Sequence, residues 1–198
     1  MSDISIMEKP EEVSWETVRD VLRQAHQEHI DAGLVMYTTT LTAEEMEARI
    51  ARHSGQCYVA MEDGQVVGTQ SFMCRKRNRW YHHGPCAELT MLGVLPAFRG
   101  RHIATDLTRT IEEEIRRRNI GAIIFDTPEQ NRIKIKMALK DQYRFVDYHY
   151  NNGHYSVVMM KWLDKCPFSK VYGALKYHYK KAKVRLRHTL RPHEEIIR

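Results

Sequence analysis

Apolar positions along the chain alternate between a spacing of three to four residues and a spacing of two, and each change of period marks a change of element. SIMEKP, residues 5–10, reads as a short strand stopped by Pro10. From Ser14 to about His29, the positions Val18, Val21, Leu22, Ala25 and then His29 or Ile30 share a helix face. Ser14 is its candidate N-cap and Gly33 marks its exit. Thr42, with Glu45 three residues on, predicts a capped second helix ending near His53–Ser54–Gly55. CYVAM and QVVGTQSFMC flank Asp63–Gly64, a strong two-residue hairpin turn. After a charged, aromatic connection from Arg75 to Gly84, CAELTMLGV sets Glu88, Thr90, Leu92 and Val94 on one face and Leu89, Met91 and Gly93 on the other.

The second half repeats the switch. Residues 95–100 turn the chain, and Ile103, Leu107, Ile111 and Ile115 place a helix from Ile103 to Arg118. GAIIFDT is an apolar run of buried-strand length closed by Thr127–Pro128, and helical spacing resumes from Gln130 to about Lys140. A last hairpin, Phe145–Tyr150 and His154–Trp162, turns at Asn152–Gly153. The strand–turn–helix–strand–helix order in the middle implies one parallel pair inside a mixed α/β sheet that is otherwise antiparallel. Residues 1–164 read as one domain, and residues 165–198 as a basic, helical extension.

Charge sharpens that division. The formal net charge of +6 falls in the extension, while residues 1–164 are close to neutral, which weakens any case for nucleic acid binding by the domain itself. Four cysteines at 57, 74, 86 and 166 form no CxxC and no metal-ligand spacing, so neither a disulfide framework nor a metal site is expected. The first residues carry acidic side chains and no apolar run of leader length, and no window has the length of a membrane span. The expected compartment is cytoplasmic.

Chemistry concentrates between Cys86 and Arg118. A strand, a sharp turn and a helix start leave backbone N–H groups unpaired where the peptide dipoles favour an anion. Gly100 allows close approach there, and Arg99 and Arg101 add positive charge. The plainer alternative is an ordinary turn with surface arginines. VLPAFRGRHIATDL, after an alternating strand and before an amphipathic helix, resembles the acyl-CoA signature of the GNAT N-acetyltransferases: Arg or Gln, two residues, Gly, one residue, then Gly or Ala. Arg99 matches the first position and Ala104 the last, whereas His102 stands where the pattern has glycine. The resemblance covers roughly residues 3–163. It implies a GNAT-type acyl-CoA N-acyltransferase fold, a mixed, mostly antiparallel sheet with one splayed parallel strand pair, flanked by helices.

The same resemblance implies roles. The amides of Arg99, Gly100, Arg101, His102, Ile103 and Ala104 would hold the pyrophosphate of acetyl-CoA, the acyl donor. The backbone of Leu92 and Val94 would pair with the pantetheine arm, and the Val94 N–H would face the oxyanion that forms as an amine attacks the thioester directly. Glu88 resembles the catalytic glutamate of histone-type members, and a partly buried carboxylate suits a general base. Six strand residues, about 20 Å, separate it from Val94, and a salt bridge to Arg75, Arg77 or Arg79 is the simpler reading. Asn131 fits the family's asparagine at the start of the helix after the second parallel strand. With the usual Gly–Phe pair read at Arg144–Phe145, Lys140 occupies the place of the acid tyrosine, and nearby Tyr143 is the candidate to protonate the thiolate. His102 and the missing helix tyrosine also fit an alternative, a non-catalytic acyl-CoA-fold protein.

The acceptor is an unidentified amine, of a small molecule or a protein. Residues 33–41 and 148–154 would face it, with Tyr37, Tyr148, Tyr150 and His154 as candidate lining. In the extension, Val171, Leu175, His178 and Tyr179 interleave with lysines and predict a basic helix of three to four turns, with a second segment at Val184–Leu190. Its composition fits a homodimer contact, RNA, an anionic membrane surface, or a solvated end.

Overall fold

The computed structural model describes residues 3–33, 37–75, 84–151, 153–163 and 167–190. The chain divides into two units, Met1–Arg75 with Ala87–Asn119, and Lys76–Cys86 with Ile120–Arg198.

The first unit contains β1 (Ser5–Glu8), α1 (Trp15–Ala25), α2 (Gln27–Asp31), α3 (Tyr37–Thr40), α4 (Ala43–Arg52), β2 (Gln56–Glu62), β3 (Gln65–Arg75), all but the first residue of β4 (Cys86–Val94), and α5 (Ile103–Arg117). Its strands run in the order β1-β2-β3-β4, with β1–β2 and β2–β3 antiparallel. Local chemistry sets the ends. Ser14 accepts from the Thr17 amide at the start of α1, and Thr42 and Glu45 exchange both bonds of a capping box at the start of α4. Asp63 and Gly64 both take positive φ, as the tight β2–β3 turn requires. Val18, Val21 and Leu22 of α1 and Met46 and Ile50 of α4 close one core with Val59, Met73 and Met91 of the sheet. On the opposite sheet face, Thr108 of α5 donates to Gln70, and Arg118 lies over the Phe72 ring.

Two departures from the periodic pattern shape this unit. The helix predicted to run to His29 breaks at His26, which ends α1 and starts α2. Glycine at 93 lets α1 lie close against β4: a Cβ there would stand 3.0 Å from the Ala25 Cβ and 3.1 Å from Leu22 Cδ2.

The second unit contains β5 (Ala122–Pro128), α6 (Arg132–Lys140), β6 (Arg144–Asn151), β7 (His154–Trp162) and α7 (Pro167–Leu190). Its strands run β5-β7-β6, antiparallel throughout. Ala122, Val146, Val158, Met160 and Trp162 form its core. α7 is a single helix of 24 residues, longer than the three to four turns expected. Its inner face is fixed to β6. Tyr177 stacks on Phe145, and Lys176 and Lys180 reach the buried Asp147 at 3.5 and 2.9 Å. Tyr148, read above as pocket lining, is buried in this clamp and donates to Glu129, which also pairs with Lys181 and Arg185. Burial pushes the Tyr148 phenol well above its usual value, and the Glu129 carboxylate beside it pushes the same way. Among the described residues no helix is long and apolar enough to cross a membrane.

Candidate functional site: the turn from β4 into α5

β4 does not run straight. Met91, fully inside, has φ 54°, a left-handed residue in mid-strand that costs about 1–2 kcal/mol for an L side chain. The Leu95 amide then donates to Val67 of β3 (2.9 Å), Pro96–Phe98 make a 3-10 turn, and α5 begins at Ile103. Between them Gly100 has φ 79° and His102 φ 62°. Two left-handed residues this close turn successive N–H groups toward one concavity, an anion nest at a helix N-terminus. From Gly100 to Ala104 no amide meets an acceptor among the described residues.

This geometry explains the glycine of the pattern. The position needs a positive φ, and histidine, like asparagine and aspartate, enters that region more readily than most L residues. The exposed His102 ring makes no cap bond with the helix it starts. Ile103 is buried over Gly68, where a Cβ would come within 3.0 Å of its Cγ2, and the Ala104 carbonyl accepts from Thr108.

The two arginines are already committed. Arg99 donates to the Ala25 carbonyl (2.8 Å) and to Glu28 (3.3 Å), tying the turn to the end of α1. Arg101 makes a two-pronged pair with the buried Glu62 of β2, at 2.6 and 3.0 Å. Backbone amides, rather than free guanidinium groups, are what the turn offers to an anion. The side chains hold the turn in place.

The other sequence candidates fall in three places. Half-buried Glu88 is paired with Arg75, which approaches through two nitrogens at 2.8 Å. Arg75 also reaches His53 Nε2 at 3.2 Å; burial and then the Arg75 and Arg49 charges lower the His53 pKa. Leu92 and Val94 both lie on the half-buried face of β4. The Leu92 carbonyl is met by His26 Nε2 at 2.8 Å, a contact across 66 positions of sequence that the periodic reading missed. In the second unit, Asn131 caps α6 by accepting from the Lys134 amide.

Tyr143 follows the tight exit of α6. The left-handed residue after α6 is Gln142, φ 65°, and the Tyr143 amide returns to the Ala138 carbonyl at 2.9 Å. A non-glycine residue thus takes the left-handed position of this exit. Tyr143, the sequence candidate for the acid, is buried edge-on against Phe125, and Ala138 of α6 is buried as well. One helical turn before Ala138, Lys134 is the titratable side chain on that face; its ammonium lies 5.0 Å from the Phe125 ring centre, and burial lowers its pKa to about 8. On the acceptor side, Tyr37 is exposed beside Arg49, and Tyr150 packs on Tyr155 and His188. Asn152 and residues 34–36 lie outside the described residues. Arg19, Arg23, Ile30 and residues 39–42 line an open cavity of about 360 Å³.

A model of the Acetyltransferase (GNAT) family matches residues 15–142, most of the chain and all of this turn. The chain belongs to the GNAT acetyltransferase family. Solved structures agree on the fold. A GNAT-family acetyltransferase from Staphylococcus aureus Mu50 superposes with a TM-score of 0.64 at 14% identity, covering 82% of this chain and 100% of its own. The yncA protein of Salmonella typhimurium, solved with its cofactor acetyl-CoA, gives 0.62 at 15% identity, with 83% and 96% covered. The PaiA N-acetyltransferase of Thermoplasma acidophilum, in complex with coenzyme A, gives 0.61 at 18%, with 81% and 99% covered. No curated protein matches the sequence. The GNAT-type α/β fold expected from the sequence is thus the fold this chain has.

Proposed function

We propose that the protein is an N-acetyltransferase that moves the acetyl group of acetyl-CoA to a primary amine by direct attack. The observation that carries this is the turn after β4, where Gly100 and His102 are both left-handed and five successive amides meet no acceptor among the described residues. In this reading the amides of Gly100–Ala104 bind the pyrophosphate, and the Glu28 and Glu62 pairs keep Arg99 and Arg101 fixed beneath them. Family neighbours carrying acetyl-CoA or coenzyme A support the choice of ligand. Acetyl-CoA supplies the activated acyl group. In this reading the Val94 N–H, on the strand leading into the turn, donates to the oxygen that gains charge during attack.

His102 at the glycine position and the missing helix tyrosine favour a second reading, a domain that binds acyl-CoA without turnover. A CoA thiolate is, however, a fair leaving group and can take its proton from solvent. Release of free thiol in the presence of an amine panel separates the two readings.

Ala104→Glu tests the cradle itself. A carboxylate in the first turn of a helix is favourable to the helix by about 0.3–1 kcal/mol, so thermal stability should hold or rise. The same charge would repel a pyrophosphate, and acetyl-CoA affinity by calorimetry should fall at least tenfold. Unchanged affinity in a well-folded variant sinks the assignment.

A further inference from the structure

The ring of His26 sits where α1 ends, held against β4 because residue 93 has no side chain to keep α1 away. Its Nε2 is 2.8 Å from the Leu92 carbonyl oxygen. A carbonyl can only accept, so Nε2 carries the proton, and in the neutral ring Nδ1 then holds the lone pair. That Nδ1 is buried and meets no partner among the described residues. Buried polar atoms are nearly always satisfied, and one that is not calls for a reason.

We propose that His26 is the base that takes the proton from the attacking amine, through Nδ1. The proposal rests on the acetyltransferase reading above and adds a residue and an atom to it. Leu92 and Val94 are two residues apart on one strand face, about 7 Å, so the ring is fixed to the same short stretch of backbone that presents the oxyanion donor. Glu88 lies six positions earlier and is engaged by Arg75. The Leu92 carbonyl holds the ring in one tautomer and stabilises the imidazolium once it forms, as an orienting group does for a catalytic histidine.

The surroundings keep the ring neutral until it is needed. Burial lowers the His26 pKa most, and the facing His29 of α2 and Arg99 of the turn lower it further, against the raising effect of the Leu92 carbonyl. Glu28 faces Arg99 and pairs with it. As the amine nitrogen bonds to the acetyl carbon, the C–S bond breaks with its electron pair going to sulfur. The amine proton passes to Nδ1 and from there to solvent. Arg23 and Ile30, which line the cavity beside α1, lie three residues before and four after His26, and the proposed step needs an acceptor in that cavity to approach the ring from the α1 side and uncover its buried Nδ1.

Nitrogen-15 NMR of the histidine rings tests this without a known acceptor, with His26→Gln used to assign the signals. At pH 7 the His26 ring should show a protonated Nε2 and a bare Nδ1, and saturation with acetyl-CoA should move the Nδ1 resonance. A protonated Nδ1, or a resonance unmoved while acetyl-CoA binds, overturns the proposal. Wild-type protein that binds no acetyl-CoA overturns the underlying reading instead. With any amine turned over in the panel, His26→Gln should keep acetyl-CoA affinity within about twofold. It should also lose about a hundredfold or more in kcat, together with the acid limb of the pH profile. A rate within threefold of wild type, with that limb intact, refutes the role.

Discussion

Lys134→Met should stabilise the protein at neutral pH and lose that advantage in alkali. Burial brings the Lys134 ammonium from its ordinary 10.5 down to about 8, partly opposed by Asp141. The difference corresponds to roughly 3 kcal/mol of cost for keeping the charge in the fold. Attraction to the Phe125 ring, 5.0 Å away, offsets about 1 kcal/mol, leaving roughly 2 kcal/mol for a methionine of similar length to recover. For a chain of this size that is a rise of about 4–8 °C in Tm. The sign follows from proton counts. Below pH 8 both folded and unfolded wild type hold the proton, so the full cost is present. Between about 8 and 10.5 only the unfolded chain holds it, and wild-type stability climbs relative to the variant. Above that window the difference is gone. Urea unfolding of both proteins at a series of pH values reads this directly. A gap that stays constant from pH 7 to 10.5, or a variant less stable at pH 7, refutes the desolvation argument.

At the turn, His102→Gly should leave stability within about 0.5 kcal/mol and acetyl-CoA affinity unchanged, since glycine takes the same left-handed angles. His102→Val, β-branched at φ 62°, should cost roughly 1–2 kcal/mol in a thermal melt; equal stability of the two variants would show that the dihedral is not the constraint. In the second unit, Asp147→Ala leaves the Lys176 and Lys180 ammonium groups facing β6 without their shared carboxylate, and should cost about 3 kcal/mol. Limited trypsin digestion should then cut within α7 before the remainder of the chain, and an α7 as protected as in wild type would show that the clamp lies elsewhere.

Much of the fold was legible because its signals are local. Asp63–Gly64, the Thr42–Glu45 box and the four-residue spacing of Ile103 to Ile115 each act within one element, and each appears where the pattern puts it. The misses share a physical cause. His26 lies off the periodic apolar face, just past the end of α1, and nothing near it in sequence announces that its ring turns to a carbonyl 66 positions away. Gln142 and His102 adopt angles usually marked by glycine, so a reading tuned to glycine does not see either left-handed turn in the sequence. The length of α7 was hidden because lysines that look solvated in sequence face Asp147 and Glu129.

The cradle proposed after β4 is made of amides, and that alters what selection can act upon. Every residue except proline carries the same N–H, so most side-chain replacements from 100 to 104 leave the donors of the turn as they were. Constraint moves from chemical identity to two torsion angles and to the pairs that brace them, Arg99 with Glu28 and Arg101 with Glu62. A site written in torsions tolerates wide drift in its letters. It fails abruptly when a substitution forbids the angle, as proline at 100 or 102 would.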